Sequence, residues 1–391
     1  MERRERLIAR ARQGFRMAYG VEPTRFYAAP GRLNLMGDHV EQNDGLVLPI
    51  AINRDTIIAI GPAGDEKGVF IDVVAIDMGG ARDRFSANSE IDHGENNWQN
   101  FARGIAETLR RNGHRIKPVR IAIAGDIPIG VGLSSSGSLS VALASALSSF
   151  SGLGFSPEGV ASIALEAERD FVGTDSGMLD TLVTACGEAG HALLLDCQSR
   201  QHMPIPVARG LTIAAIESGV PRNRSGETAI ARRKECARAA EHYHVKTLRE
   251  LTPDHTKEWR GDLDKIAYSR TRHVVGEIAR VEPMAVALVK GNTAELARIM
   301  RASHVSLRDD FEVSDPQIDR LVDIVAAALG DRGGVRLTGN GIGGCVVAVV
   351  ADEAVEQLVE AVEERYNQPG QVPAKVEVLR TSGGAHQIAT G

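Results

Sequence analysis

The stretch from Gly125 to Leu147 restricts this chain more than any other. It reads Gly-Asp-Ile-Pro-Ile-Gly-Val-Gly-Leu-Ser-Ser-Ser-Gly-Ser, then Leu-Ser-Val-Ala-Leu-Ala-Ser-Ala-Leu. Gly130, Gly132 and Gly137 allow tight turns and a close approach of backbone to ligand, because no Cβ intervenes. Ser134, Ser135, Ser136 and Ser138 add hydroxyls beside freed N–H groups. A strand-like run, Val119–Ala124, precedes the loop, and an Ala/Leu/Val-rich helix follows it. The loop therefore lies at a helix N-terminus, where unpaired N–H groups and the helix dipole favour an anion. Strand, glycine-serine loop and buried helix make a phosphate cradle. It differs from the common P-loop, which carries a lysine; residues 118–150 contain none.

At 391 residues the chain is too long for one core, and 43% hydrophobic with 25% charged residues is globular. Two domains are expected, 1–204 and 205–391, with the polar, proline-bearing segment 198–210 at their junction. A formal charge of −6 without a basic stripe argues against nucleic acid as a partner. Cys186, Cys197, Cys236 and Cys345 have neither metal-ligand spacing nor disulfide-scaffold density. With a polar N-terminus and no apolar run of membrane-spanning length, these features point to a cytoplasmic protein without a membrane partner.

In chain order, residues 3–19 read as a helix, and Ala28–Asn43 as a loop dense in polar groups. Arg32, Asp38, His39, Glu41 and Asn43 fall within twelve residues of that loop, between Gly31 and Gly45. Donors and acceptors so crowded suit a polyhydroxylated ligand. Val47–Ile60 reads as a strand or strand pair, and Trp98 opens a helix through Leu109. Ser156-Pro157-Glu158 starts another helix, with a capping hydroxyl, a first-turn proline and an acid at the positive end. Beyond it, Glu168 and Asp180 flank the turn Gly173–Gly177, a spacing compatible with one acid holding Mg2+ and another handling a hydroxyl proton. Strands are expected at 191–197, 211–216, 345–351 and 375–380, with amphipathic helices at 227–243, 263–290, 293–303, 315–329 and 352–366, an α+β pattern. Arg336–Cys345 is a second glycine-rich loop.

Together these blocks resemble the GHMP small-molecule kinases, and within them the galactokinase branch. Pro30–His39 is similar to that branch's sugar-site loop, Pro128–Ser138 to its phosphate loop and Leu337–Cys345 to its third motif. Trp98 with Phe101–Gly104, Ala167–Gly173 and Ser303–Asp310 agree, so the likeness runs from about Tyr19 to Ala385. It implies an N-terminal domain like ribosomal S5 domain 2 and a ferredoxin-like C-terminal domain. It also implies transfer of the γ-phosphoryl of ATP to the anomeric C1 hydroxyl of a sugar. By position, Arg32 and Asp180 match the catalytic pair, and Ser136 and Glu168 the Mg2+-associated pair. Trp98, Gly130, Gly132, Ser134, Ser135, Ser136, Gly137 and Ser138 match ATP-site positions; Asp38, His39, Glu41, Asn43 and Gly177 match sugar-site positions.

The departures concern the substrate. Galactokinases read Gly-Glu-His-Thr-Asp-Tyr-Asn where this chain has Gly37-Asp-His-Val-Glu-Gln-Asn43, and a sugar-facing tyrosine falls on Ala229. Both changes open room away from the anomeric carbon. The expected substrate is accordingly a galactose-like sugar of higher carbon number, such as a heptose or octose. An ordinary galactokinase is the alternative, and a non-catalytic sugar sensor or an isoprenoid or amino-acid kinase a more distant one. The sequence is silent on oligomeric state.

Overall fold

A computed structural model describes residues 2–64, 68–174, 176–221, 227–257, 261, 263–339, 341–370 and 372–389; Asp175 and Asn340 of the glycine-rich turns fall outside these. In chain order the first part comprises α1 (Arg3–Tyr19), β1 (Arg25–Asn34), β2 (Leu46–Val47), β3 (Pro49–Pro62), β4 (Phe70–Ala75), β5 (Ala81–Ser86), α2 (Asn97–Arg111), β6 (Val119–Gly125), α3 (Ser135–Ser151), α4 (Pro157–Glu166), α5 (Met178–Cys186), β7 (His191–Asp196) and β8 (His202–Pro206). There follow β9 (Leu211–Glu217), α6 (Glu227–His242), α7 (Lys265–Lys290), α8 (Thr293–Asp309), α9 (Pro316–Leu329), β10 (Gly333–Thr338), β11 (Cys345–Ala351), α10 (Val355–Glu360), β12 (Lys375–Leu379) and β13 (His386–Ile388). Among the described residues no helix is long and apolar enough to cross a membrane.

The larger sheet has the order β13-β1-β3-β6-β4-β5 and is antiparallel except where β4 meets β6. Its two faces follow from side-chain alternation along each strand. Phe26 and Ala28, Ile57 and Ala59, Ala122 and Ala124 turn to one face, under Leu7, Ala11 and Phe15 of α1. Tyr27 and Ala29, Ile58 and Ile60, and Ile121 turn to the other, into the core built with α2 to α5. Each isoleucine, leucine or phenylalanine among them contributes about 1.5–3 kcal/mol on burial, each alanine less.

The second sheet, β10-β11-β9-β12, is antiparallel throughout. Ile213, Ala215, Val347 and Val349 pack with Val281, Met284 and Leu288 of α7 and Leu296 of α8. The same cluster takes in Leu33, Leu35 and Met36 after the bend in β1, so apolar packing runs unbroken from one half to the other. A small sheet, β2-β7-β8, lies beside this seam.

Two expectations are corrected, for Ala28–Asn34 and for α8, and two strands are added, β8 and β13. Ala28–Asn34 is strand rather than loop: every residue from Phe26 to Gly31 is buried, and the polar loop begins only at Leu35. Segment 198–210 contains β8, which pairs with β7 through Leu195↔His202. The six-stranded sheet is completed by β13, from the far end of the chain, through Phe26↔Ile388. Helix α8 runs on to Asp309, carrying Ser303, His304 and Ser306 into the interior.

Candidate active site

The phosphate loop leaves β6 at Gly125 and enters α3 at Ser135. Gly130 and Gly132 have φ of 88° and 94°, a left-handed backbone that favours glycine. Ser134 holds φ 59° as the N-cap of α3, with its hydroxyl buried and unbonded among the described residues. Such a residue is held in place by its surroundings, here the bond from Arg32 N–H to Leu133 O at 3.1 Å. Ser135 and Ser136 sit half-exposed on the first turn of α3, while Ile129 at the loop tip is 80% exposed. The loop thus offers a helix N-terminus ringed by hydroxyls.

Beside it stand Arg32, on β1, and Asp180, on the first turn of α5. Nε and Nη2 of Arg32 each lie 2.6 Å from Asp180 Oδ1, and Nη1 donates to Gly132 O at 2.5 Å. One arginine therefore fixes the acid and the phosphate loop at once. A Cβ at Gly137 would stand 3.2 Å from Asp180 Cβ and 2.6 Å from Ser134 Oγ, so loop and acid are in contact.

Glu168 is 1% exposed in a π-helical turn after α4. Its Oε2 accepts from the Ser176 hydroxyl, and from Thr174 Oγ1 at 3.4 Å. Oε1 is buried without an aligned partner among the described residues, Ser140 being its polar neighbour. Burial raises its affinity for a proton above that of an ordinary glutamate, with a further push from the nearby Asp180 charge. A buried, unneutralised carboxylate oxygen beside a serine-lined loop fits a divalent cation with oxygen ligands.

The sugar loop is organised differently. Asp38 lies in a buried network: it pairs with Arg336 and accepts from Asn34 Nδ2 at 2.9 Å and Gly339 N–H at 3.2 Å. Arg336, fully buried on β10, also reaches Glu277 Oε1 at 3.1 Å and Ser303 Oγ at 2.7 Å. Glu277 accepts in turn from the N–H groups of Gly37 and Asp38. Burial pushes the Arg336 pKa down to about 9, still charged at neutral pH beside two acids. His273 bonds Asp38 O at 3.1 Å and Ser306 Oγ at 3.0 Å; its burial lowers its pKa to about 4, leaving it neutral. Phe311 packs between the rings of His273 and His39 at 4.5 and 4.8 Å.

Glu41 points the other way, towards α5. Its Oε1 accepts from the backbone of Met178, and from Leu179 N–H at 3.4 Å, where the helix dipole favours an acid. Desolvation, then the neighbouring Asp180 charge, raises its pKa. Gly177 is dictated by this approach, since a Cβ there would lie 2.1 Å from Glu41 Oε2. Asn43 is buried beside the Cys236 thiol of α6.

Three family models match the chain: the galactokinase galactose-binding signature over residues 13–62, the GHMP kinase N-terminal domain over 100–188 and the GHMP kinase C-terminal domain over 284–368. The chain belongs to the GHMP kinases, in their galactokinase branch. Its fold matches that of Lactococcus lactis galactokinase complexed with galactose at 26% identity, over 97% of this chain and 99% of the other, with a TM-score of 0.88. More distant structures share the fold: a D-glycero-D-manno-heptose 1-phosphate kinase from Bacteriodes thetaiotaomicron (18% identity, 94% and 99% covered, TM-score 0.62) and Methanococcus jannaschii mevalonate kinase (18%, 92% and 98%, 0.63).

In this galactokinase-like kinase, geometry separates the expected site residues into two sets. Arg32, Asp180, Glu168, Glu41, Gly177 and the loop from Gly130 to Gly137 converge. Ser138 does not join them: its hydroxyl is fully buried and bonded to Ala29 O and Thr56 Oγ1, both at 2.8 Å, which ties α3 to the sheet. Asp38 and Asn43 are likewise occupied by protein partners. Trp98, half-buried on the first turn of α2, packs against the core. Arg336, Glu277, His273 and Phe311 are residues that sequence reasoning missed. The available signal was an arginine and a glutamate set among apolar neighbours, Val335-Arg-Leu and Val274-Val-Gly-Glu-Ile.

Proposed function

We propose that this kinase transfers the γ-phosphoryl group of ATP to the C1 hydroxyl of a galactose-like sugar held in the cleft between residues 1–204 and 205–391. The contact among Arg32, Asp180 and the phosphate loop carries this reading, because it puts a carboxylate and a fixed positive charge at one point beside an anion cradle. Asp180 accepts or orients the proton of the attacking hydroxyl. Arg32 holds that carboxylate in position and stabilises charge on the transferred group, in a reaction where positioning and electrostatics dominate. Glu168 and Ser136 would hold Mg2+, which supplies charge neutralisation along the phosphates. The serine hydroxyls and N–H groups of residues 130–137 cradle the phosphates, and Trp98 borders the adenine.

The sugar is proposed to be longer than galactose. Asp38 is held by Arg336 and Asn34, which sets where its shortened carboxylate stands. Ala229 lies two turns before Cys236 on the same face of α6, the face that meets Asn43 of the sugar loop. An alanine there leaves room of roughly a phenol ring. Galactose is the second reading, favoured by the 26% identity with a galactokinase. Comparison of kcat/KM for galactose and for heptoses and octoses decides between them. The wild type should prefer the larger sugars, and Ala229→Tyr should cut their kcat/KM by about 10-fold or more, the order of 1–3 kcal/mol. Strong preference for galactose, with no effect of Ala229→Tyr on larger sugars, selects the second reading.

A further inference from the structure

Away from the cleft, three side chains of different chemistry meet where α4 begins, α5 ends and β8 begins. Glu158 stands in the first turn of α4, Cys186 is the last residue of α5 and His202 the first of β8. One carboxylate oxygen, the thiol sulfur and a ring nitrogen lie within 4.8 Å of one another, with His202 Nε2 3.8 Å from Glu158 Oε1. Ligand atoms of a tetrahedral zinc, about 2.0–2.3 Å from the ion, are spaced roughly 3.5 Å apart. The separations in the structure, 3.8 Å for His202 to Glu158 and no more than 4.8 Å for the others, stand close to that spacing.

We propose that Glu158, Cys186 and His202 form a binding site for a divalent cation of the zinc class, separate from the nucleotide and sugar cleft. The donor set selects the ion. A thiolate with an imidazole suits zinc, whereas Mg2+ takes oxygen ligands and leaves this site alone. Three protein ligands leave a fourth position for water, and the site is open to entry: Glu158 is exposed, Cys186 and His202 half-buried. Cys186 is also the one cysteine of the four that is not buried. Burial and then the Glu158 charge keep its thiol protonated, and a cation relieves both as it displaces the proton. An ion here would join α4, α5 and β8 at the far end of the helix whose first turn carries Asp180, about 9 Å along the axis.

The test uses Co2+ as a spectroscopic substitute on the full chain, with Mg2+ in excess. One equivalent should produce the thiolate-to-cobalt charge-transfer band. Cys186→Ser should abolish it, and His202→Ala should weaken Co2+ binding at least by the roughly 10–100-fold that loss of an outer partner alone costs. Without added zinc, Cys186→Ser should retain wild-type kinase activity. Absence of the band, or its persistence in Cys186→Ser, would overturn the site. A second measurement needs no variant: Zn2+ should slow alkylation of Cys186 in the unaltered protein, read by peptide mass, and an unchanged rate would contradict the proposal.

Discussion

The two loops that frame the cleft are built on opposite principles. The sugar loop is fixed from outside, by Arg336 and Glu277 of the second half, through bonds that span 298 and 240 residues of sequence. The phosphate loop is fixed from within the first half: Arg32 of β1, 100 residues away, and the start of α3 hold its base, and Ile129 at its tip stands in solvent. The loop proposed to hold the sugar is thus coupled to the packing of the two halves. The loop proposed to receive the phosphate chain relies on backbone geometry, a helix end and one arginine of its own half. Damage to the first should therefore appear as lost stability, and damage at the second as lost turnover.

The largest effect is expected at Asp180. Asp180→Asn keeps the shape and removes the charge, so kcat should fall by roughly 10²–10⁴-fold, the range of a positioned acid or base. Its thermal midpoint and sugar affinity should change little, because the group is only one partner of Arg32, whose Nη1 stays bonded to Gly132 O. A variant that kept near-full turnover, or that unfolded, would erase the contrast between the loops.

Asp38→Asn is the converse. It leaves Arg336 buried with only Glu277 as its acid, and loss of one partner of a buried pair costs about 3–5 kcal/mol. The thermal midpoint should drop by several degrees in the absence of any ligand. An unaltered midpoint would show that the network does not hold the halves together.

A smaller effect is expected at Glu168. Glu168→Gln should lower turnover about 10-fold at limiting Mg2+, with partial recovery as Mg2+ is raised, if its free Oε1 serves the ion. Parallel Mg2+ titrations of Ser136→Ala sharpen the point. An unchanged Mg2+ dependence in both variants would take them out of the metal shell.

What was legible in the sequence follows the same division. The phosphate loop, α3, α4 and the long strand within 47–60 depend on local glycine and capping chemistry and on apolar periodicity, and all could be read directly. Strands β5 and β13 could not: Ala-Arg-Asp-Arg-Phe-Ser and His-Gln-Ile are polar sheet edges without a clean apolar alternation, and the partner of β13 lies some 360 residues away. Asp38 carried the same ambiguity. Its position matches a sugar ligand, but only the fold brings Arg336 to it, and a carboxylate facing a buried guanidinium pairs with it. Ser138 illustrates the point within five residues: four serines share one motif, and helical phase turns the last of them into the sheet.

The central claim, that Arg32, Asp180 and the phosphate loop make a sugar 1-kinase, is tested most directly by locating the phosphate. The full chain would be incubated with ATP, Mg2+ and a panel of galactose-like hexoses, heptoses and octoses, and the products examined by phosphorus–proton correlation NMR. The account predicts a single sugar monophosphate whose phosphorus couples to the anomeric proton, formed by the wild type and lost in Asp180→Asn. Phosphate on any other carbon, or ADP formation independent of sugar, would contradict it.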